Sequence, residues 1–252
     1  MFDLNTGLYD WLEKNLFTEY WQAITALLGF SVLVLAVSYL LGSINSAIII
    51  SKALYKDDIR NHGSGNAGLT NMLRTYGKGA AALTLVGDMM KSVLSICFAA
   101  IFFGFGYIGG ISLSQFCYAA GLFAVLGHIF PIFYGFRGGK GVLSTATVAL
   151  VLTPIPFLIL LAVFVAIVAV SKYVSLGSVS VAVLYPVVVN GYIKACFSGL
   201  PAPLILSLST ILIAILVVWC HRENLKRISD RTERKISFKK KDVEVQKKPD
   251  NE

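Results

Sequence analysis

The sequence predicts an all-α integral membrane protein with seven transmembrane helices, its N-terminus outside and its C-terminus in the cytoplasm. Of its 252 residues, 56% are hydrophobic and only 14% are charged, whereas soluble domains carry about 25% charged residues. The mean hydropathy is +0.72, and the apolar residues form runs that are too long for a soluble core. Eleven of the 22 basic residues follow Cys220. This asymmetry excludes an evenly basic nucleic-acid-binding protein.

A membrane-spanning helix needs about 20 apolar residues, since each residue adds about 1.5 Å along the helix axis. Seven apolar runs are candidates, and the fourth is much shorter than this length. Pro154 and Pro156 interrupt helical hydrogen bonding and separate the fourth run from the fifth. If these two runs formed one kinked helix, the count would be six. The predicted spans are Ala23–Ile50, Gly79–Gly104, Ser112–Phe133, Val142–Leu152, Pro154–Ser171, Leu176–Ile193 and Leu204–Cys220.

The basic residues predict the orientation, because cytoplasmic loops of membrane proteins are enriched in Lys and Arg. With seven spans, the basic loops 51–78 and 134–141 lie on the same face as the basic C-terminal tail, whereas six spans would separate them. The sequence therefore favours seven spans, with residues 1–236 forming one membrane-embedded domain. Residues 1–20 are typical of an interfacial helix, and residues 237–252 of a charged, disordered tail.

The loop after the first span is rich in glycine and in hydrogen-bond donors. Gly63, Gly65 and Gly68 match the spacing GxGxxG, but no strand precedes them, so a dinucleotide-binding motif is excluded. Glycines still let backbone N–H groups approach an anion, and the helix predicted to begin near Leu69 offers its positive end. A polar turn between spans is the alternative. The donors predicted to serve a phosphate or carboxylate are Arg60, Ser64, Asn66, Thr70 and Asn71.

A second glycine-rich loop follows the third predicted span and carries one lysine. It is not a Walker A motif, because its first glycine is one residue out of place and Gly141 stands where a Ser or Thr would hold magnesium. Gly138, Gly139, Lys140 and Gly141 are predicted to form a glycine nest with one ammonium group. Such a nest can hold a phosphoryl group without a metal.

Polar residues inside predicted spans are costly and mark candidate sites. Asp88 and Lys91 lie three residues apart in the second span and so share one helix face. A structural ion pair and a part in catalysis both fit this spacing. His128, at the end of the third span, is either a hydrogen-bonded packing residue or a base. Ser43, where GSINS interrupts the first span, either bridges helices or reaches the anion site.

The last predicted span ends at His221, and a charged segment follows it. His221 and Asn224 lie three residues apart, so they share a face if the helix continues. A histidine at this position can act as a base or donate a hydrogen bond to a phosphate. A solvated, charged helix end is the alternative.

Several common kinds of site are missing from the sequence. The four cysteines form no CxxC pair, and no cluster of histidines and carboxylates predicts a metal site. None of the three histidines is followed by aspartate at the fifth position, so the HxxxxD acyltransferase signature is missing. The paired aspartates of a metal-dependent alcohol phosphotransferase are missing too.

Taken together, these segments resemble the membrane-integral acyl-phosphate:glycerol-3-phosphate acyltransferases, the PlsY family of bacteria. The blocks occur in the family's order over nearly the whole chain, so the set is far more specific than any single block. The matching blocks are GSINS at 42–46, DIRNHGSGNAGLTN at 58–71, GDMMK at 87–91, GHIFPIFYGFRGGKG at 127–141, KYVSLGS at 172–178 and HRENLKRISDRTERKI at 221–236.

The resemblance implies a seven-helix enzyme of the bacterial plasma membrane with its active site at the cytoplasmic face. Such an enzyme transfers a fatty acyl group from acyl phosphate to sn-glycerol 3-phosphate, giving lysophosphatidic acid and inorganic phosphate, in the first step of phospholipid synthesis. The expected partners are these two substrates and membrane lipid. No nucleic acid, cofactor or metal is expected, and the chain is expected to be a monomer.

The resemblance also implies roles for single residues. Ser43 and Arg60 match essential residues of the family's first motif region, while His221 and Asn224 match its active-site histidine and asparagine. Ser175 matches a polar position in the loop before the sixth span. The positions that match the phosphate-binding loop are Gly138, Gly139, Lys140 and Gly141, and the position that matches a glutamate tied to structural integrity is Glu233.

Two other functions are compatible with these loops. A carrier or channel for phosphorylated solutes could use the same anion sites, but it needs polar residues through to the outer face, where the spans have almost none. An acyltransferase with a thioester donor is excluded only by the resemblance. Because acyl phosphate is already activated, the site needs only to bind two phosphorylated substrates and align the hydroxyl with the carbonyl. Either His221 or a substrate phosphate then accepts the hydroxyl proton.

Overall fold

The computed structural model describes residues 6–108, 111–112, 114–196 and 203–236. The predicted tail, residues 237–252, lies outside the described residues, as do the first five residues of the predicted interfacial segment. Helices make up most of the described chain. The exceptions with regular structure are two 3-10 turns, at Ile59–Asn61 and Ile132–Tyr134, and a short antiparallel pairing of Tyr107–Ile108 with Ile111–Ser112.

The α-helices of the described residues are numbered here in chain order. They are α1 (Gly7–Asn15), α2 (Tyr20–Ser43), α3 (Ser46–Tyr55), α4 (Leu69–Tyr76), α5 (Lys78–Phe103), α6 (Gln115–Ile129), α7 (Val142–Leu152), α8 (Pro154–Ser171), α9 (Val174–Cys196), α10 (Leu204–Cys220) and α11 (Arg222–Ser229).

All seven predicted spans are helical in the structure, but they differ in length. Within the described residues, five helical runs are long and apolar enough to cross a membrane: α2 with α3, α5, α6 with the turn after it, α8 and α9. A sixth is possible if α10 and α11, which are bent by 52° at His221, count as one. At 11 residues, α7 is about 16 Å long, roughly half the thickness of the hydrocarbon core. The chain is therefore a multi-pass, helical membrane protein.

The first predicted span is broken where the sequence GSINS interrupts its apolar run. The backbone is extended at Ile44 and Asn45, and the Asn45 side chain accepts a hydrogen bond from the backbone N–H of Ile48 at 3.1 Å. Asparagine is a favoured N-cap because its side-chain oxygen satisfies an otherwise unpaired N–H at the helix start. The break leaves the carbonyl of Ile44 free to bond elsewhere.

The prolines after α7 start a new helix instead of kinking the old one. Thr153 ends α7 with its hydroxyl on the Ala149 carbonyl, and Pro154 takes the first position of α8, where its missing N–H costs nothing. Lys140, before α7, and Ser175, after α8, both bond to Asn224. The two helices therefore form a hairpin whose open ends lie at the same face.

The centre of the bundle is α6, in which ten of 15 residues are buried. It packs most extensively against α2, and two glycines allow the two backbones to touch. A Cβ atom at Gly42 would overlap the Ala124 carbonyl, and one at Gly127 would overlap the Tyr39 carbonyl. Small residues at such crossings are typical of helix pairs in membranes. This close contact fixes the end of α2, including Ser43, against α6.

Candidate active site

A cavity of about 690 Å³ lies between the second half of the bundle and the loops at one face. Its inner end is apolar, with walls from α7, α8 and α9, whereas its outer end is polar. The inner walls include Leu143, Ala146, Phe157, Leu160, Phe164 and Val181. A ligand that fits both ends has a long apolar part and an anionic head.

Asn224 lies at the centre of a hydrogen-bond network at the polar end. Its amide nitrogen donates to Ser175 Oγ at 2.9 Å and to Glu233 Oε1 at 2.7 Å. Its side-chain carbonyl accepts from the ammonium of Lys140. Because a carboxylate only accepts and an ammonium only donates, these contacts determine the orientation of the amide. The network thus joins four predicted residues from three segments that are far apart in the sequence.

Glu233 anchors this network to α11. Its Oε1 also accepts from Ser175 Oγ at 2.6 Å, and its Oε2 pairs with Arg227 Nε at 2.8 Å. Burial raises the pKa of Glu233, but the hydrogen bonds from Ser175, Asn224 and Arg227 lower it by more, so the pKa lies below its ordinary value. The carboxylate is therefore charged at neutral pH. These contacts give the predicted structural role of Glu233 a physical basis.

Replacing Glu233 with glutamine is expected to lower the melting temperature of the detergent-solubilised protein by about 5 °C. The amide loses the ion pair with Arg227 and one acceptor for Asn224, and hydrogen bonds to charged groups contribute about 1.5–3 kcal/mol. Thermal unfolding of the variant and of Glu13→Gln, whose side chain is exposed on α1, checks this. Equal melting temperatures for the two variants would contradict it.

His221 lies at the bend between α10 and α11 and lines the cavity. It is buried, and its Nδ1 atom lies 2.7 Å from the Val217 carbonyl oxygen. Since a carbonyl only accepts, Nδ1 carries the proton. In the neutral ring, Nε2 is then an acceptor. His221 and Asn224 both line the polar end, as their spacing predicts.

The loop before α4 is shaped by the side chain of Asn71. Its amide nitrogen donates to the carbonyls of Ile59, His62 and Asn66 at 2.9–3.3 Å. Its oxygen accepts from the backbone N–H of Ser64 at 3.1 Å. Asn71 lines the cavity, but its donors are already used inside the loop. Asn71 was predicted to donate to a substrate, but in the structure it stabilises the loop instead.

The other predicted residues of this loop fall into two groups. Gly63 and Gly65 have positive φ, 61° and 70°, which only glycine adopts freely. Gly65 lies at a smaller polar depression beside the main cavity. Ser64 and Thr70 line the main cavity, as do Gly63 and Asn66, and the N-terminus of α4 opens onto it. This end of the loop is therefore open to a ligand in the cavity.

The second glycine loop differs from the predicted nest. The N–H groups of Gly138 and Gly139 donate to the carbonyls of Ile129 and His128 at 3.2 and 3.1 Å, so they do not face the cavity. These positions need glycine for steric reasons, because a Cβ atom at either would overlap His128. Only Lys140 and Gly141 line the cavity. Gly141, with φ of 76°, precedes α7, and the first residues of that helix line the cavity.

The structure places Ser43 and Arg60 away from the cavity wall. Ser43 is fully buried at the α2–α6 contact, and its hydroxyl donates to the Tyr39 carbonyl at 2.8 Å. The Arg60 guanidinium pairs with Asp58 at 2.7 Å and donates to the Tyr134 carbonyl at 3.0 Å. Arg60 thus ties the first loop to the turn before the glycine loop. Neither residue is among those that line the cavity.

Arg74 lines the cavity instead, and it was not among the predicted site residues. It lies one helical turn after Thr70 on α4, so the two side chains share a face. This i, i+4 spacing is the sequence feature that could have identified it. Among the described residues, no carboxylate lies within ion-pair distance of Arg74, Lys140 or Arg234, all of which line the cavity. These cations are available to anionic ligands.

The predicted ion pair of Asp88 and Lys91 is present, with 3.0 Å between Oδ1 and Nζ. It is buried, and His128 joins it from α6. Asp88 and His128 both reach the cavity wall. The spacing of Asp88 and Lys91 predicts their contact. The contact with His128 could not be predicted in this way, because His128 lies 37 residues after Lys91.

The chain is similar to proteins of a known family. A family model described as Glycerol-3-phosphate acyltransferase matches residues 32–231. A glycerol-3-phosphate acyltransferase of Clostridioides difficile is 42% identical over 84% of this chain and 98% of its own length. One of Syntrophomonas wolfei is 41% identical over 81% of this chain and 96% of its own length.

Two solved structures are also similar to this chain. Both are crystal structures of PlsY (YgiH), an integral membrane glycerol 3-phosphate acyltransferase. The glycerol 3-phosphate form has a TM-score of 0.70 and 31% identity, covering 82% of this chain and 96% of that one. The lysophosphatidic acid form has a TM-score of 0.68 and 30% identity, covering 82% and 95%. The chain belongs to the glycerol-3-phosphate acyltransferase family.

Proposed function

We propose that this chain transfers a fatty acyl group from acyl phosphate to sn-glycerol 3-phosphate, releasing lysophosphatidic acid and inorganic phosphate. The observation that carries the proposal is the single cavity that joins a cationic, hydrogen-bonding end to an apolar end. The acyl chain occupies the apolar end between α7, α8 and α9. The two phosphate groups and the glycerol hydroxyl meet at the polar end.

The reaction needs no covalent acyl-enzyme, because acyl phosphate has a good leaving group. The glycerol hydroxyl oxygen attacks the carbonyl carbon and forms the new ester bond. The bond from that carbon to the phosphate oxygen breaks, and the hydroxyl proton leaves to an acceptor. We assign this acceptor to His221, because the hydrogen bond of its Nδ1 to Val217 leaves Nε2 as an acceptor in the cavity. The alternative acceptor is a substrate phosphate.

The phosphate groups are held by cations and by the positive ends of two helices. We assign Arg74 and Lys140 as the charged contacts, with the N-termini of α4 and α7 adding backbone donors. Ser64 and Thr70 supply hydroxyl donors at the rim of the cavity. Ser175, Asn224 and Glu233 position Lys140 through their shared hydrogen bonds. Arg60 positions the first loop, and Ser43 packs α2 against α6.

We infer that seven segments cross the plasma membrane, with the N-terminus outside and the site facing the cytoplasm. The hairpin of α7 and α8 supports this count, because both of its open ends lie beside Asn224. An odd number of crossings then places the basic loops and the C-terminal segment at the polar end of the cavity. A monomer suffices, since every residue assigned to the site belongs to one chain.

The charge of Lys140 predicts how activity depends on pH. Burial lowers the pKa of Lys140 to about 8, and the nearby Arg227 adds to the shift. The lysine is therefore charged below this pH and loses its proton as the pH rises through it. We expect kcat/KM to fall as the pH rises above about 8, because kcat/KM reports ionisations of the free enzyme.

A pH profile of Lys140→Arg checks this expectation, because arginine keeps its charge at all these pH values. We expect the basic limb of the profile to move to higher pH in the variant. If the variant is too slow to assay, the dissociation constant of glycerol 3-phosphate is measured across the same pH range instead of kcat/KM. An unchanged basic limb in the variant would show that another group titrates.

Phosphate release and lysophosphatidic acid formation by the purified protein test the proposed donor. We expect turnover with palmitoyl phosphate and glycerol 3-phosphate, and none when palmitoyl-CoA replaces the acyl phosphate. Turnover only with palmitoyl-CoA would support an acyltransferase but contradict acyl phosphate as its donor. Lysophosphatidic acid from neither donor would overturn the proposed reaction and favour the carrier.

A further inference from the structure

We propose that His128 is a further substrate-binding residue, which donates a hydrogen bond from Nε2 to an oxygen of the acyl phosphate group. The inference rests on the proposed function for the identity of the ligand. It gives the buried ion pair of Asp88 and Lys91 a positioning role, because this pair determines which nitrogen of His128 carries the proton.

The ammonium of Lys91 is buried and has three partners arranged around it. It lies 3.0 Å from Asp88 Oδ1, 2.9 Å from the Ile44 carbonyl oxygen and 2.8 Å from His128 Nδ1. Nζ forms hydrogen bonds with the Ile44 carbonyl and with His128 Nδ1, and an ion pair with Asp88. An ammonium has donors only and no acceptor. The Ile44 carbonyl is available because the chain breaks between α2 and α3.

These contacts determine the state of the His128 ring. Because Lys91 only donates, Nδ1 of His128 must accept and cannot carry a proton. A doubly protonated ring would also bring a second positive charge to 2.8 Å from the ammonium. Asp88 Oδ1 lies further away, 3.7 Å from Nδ1, and is already paired with Lys91. The ring is therefore neutral, and its single proton is on Nε2.

Nε2 lies on the other side of the ring from Lys91, beside Gly139 of the glycine loop. His128 is only 3% exposed, yet it lines the cavity. No described residue accepts a hydrogen bond from Nε2. At position 139 a Cβ atom would overlap Nε2, so any larger residue there would block this donor. An N–H without a protein partner in a residue that lines the cavity is available to a ligand that accepts its hydrogen bond.

The two histidines of the cavity are thus in opposite tautomers. His221 donates from Nδ1 to a carbonyl and presents an acceptor, whereas His128 accepts at Nδ1 and presents a donor. An acceptor suits the hydroxyl that loses its proton, and a donor suits an oxygen that gains negative charge as the carbonyl is attacked. His128 is therefore a hydrogen-bond donor and not a base.

Two amide variants of His128 separate this role from a structural one. The amide of glutamine reaches the position of Nε2 and keeps a donor in the cavity, whereas the amide of asparagine reaches only Nδ1 and keeps the acceptor for Lys91. We expect His128→Asn to lower kcat by about 10²-fold and His128→Gln by less than about tenfold. Thermal stability in detergent should change in the opposite order, with His128→Gln the less stable variant.

The kinetic comparison contradicts the proposal if His128→Asn is at least as active as His128→Gln. Wild-type protein that makes no lysophosphatidic acid from palmitoyl phosphate would instead contradict the proposed function. If the variants do not fold, nitrogen-15 NMR of histidine-labelled His62→Ala protein decides the matter, because His62 also donates from Nε2, to Asp57. Of the two remaining rings, we expect one with Nε2 protonated at neutral pH and a shift of its signal on adding a non-hydrolysable acyl phosphonate. Protonated Nδ1 in both rings, or no shift, would overturn the proposal.

Discussion

Replacement of Arg74 by glutamine is expected to lower kcat/KM about 10³-fold with little change in stability. Arg74 lines the cavity, and no described carboxylate pairs with it, so its charge is available to a substrate phosphate. Loss of one partner from a desolvated, hydrogen-bonded charge pair costs several kcal/mol. Glutamine keeps much of the side-chain volume but neither the charge nor the forked donor geometry.

Arg60→Gln is the matched control for this variant. The guanidinium of Arg60 bonds to Asp58 and to the Tyr134 carbonyl and does not line the cavity. We expect it to lower the melting temperature and to reduce kcat/KM by less than about tenfold. Steady-state kinetics and thermal unfolding of both variants check this contrast. An active Arg74→Gln beside an inactive Arg60→Gln would restore the role that the sequence resemblance implies for Arg60.

Replacement of His221 by alanine is expected to lower kcat by about 10³-fold, within the range of general base catalysis. The substrates should still bind, because Arg74 and Lys140 remain in place. The variant therefore separates proton transfer from binding when kcat and KM are measured for both substrates. His62→Ala is the control, since His62 pairs with Asp57 on the first loop and does not line the cavity.

A His221→Ala variant with near-normal kcat and a raised KM would show that the histidine only binds substrate. The proton acceptor would then be a phosphate oxygen of one of the substrates. A loss of kcat that is equal in His62→Ala would point to a general loss of structure, and thermal unfolding of both variants detects this.

The positions of the helices could be predicted from the sequence because each apolar run is bounded by prolines, glycines or charges. The break at Asn45 and the new helix at Pro154 both follow from local chemistry, N-capping and the missing N–H of proline. The length of α7 is also visible in the sequence. The sequence allowed two arrangements of α7 and α8, one kinked helix or a hairpin of two helices. It could not decide between them, because the direction of a chain after a proline depends on the helices that pack against it.

The sequence predicts which segments form the candidate site, but not which side chains and backbone groups in them contact one another. The pattern identifies Lys140, His221 and Asn224 because each lies beside an apolar run at the same face. It does not reveal that Asn71 and the N–H of Gly138 are already bonded within the protein. Which donors remain for a ligand depends on neighbours that are distant in the sequence.

The same limit explains the remaining differences. Arg60 and Arg74 look equivalent in the sequence. Only the fold shows that Arg60 forms an ion pair with Asp58, whereas Arg74 lines the cavity. Asp88 and Lys91 are recognisable as a pair because they lie on one helix. His128 completes their cluster from another helix, so its tautomer could not be inferred from spacing.

Initial rates measured while both substrates are varied test whether the cavity holds acyl phosphate and glycerol 3-phosphate together. Direct transfer requires both substrates to be bound at once, so we predict that double-reciprocal lines at different glycerol 3-phosphate concentrations intersect. A covalent acyl-enzyme releases phosphate before the second substrate binds and gives the parallel lines of ping-pong kinetics. Parallel lines, with phosphate released in the absence of glycerol 3-phosphate, would contradict direct transfer within one cavity.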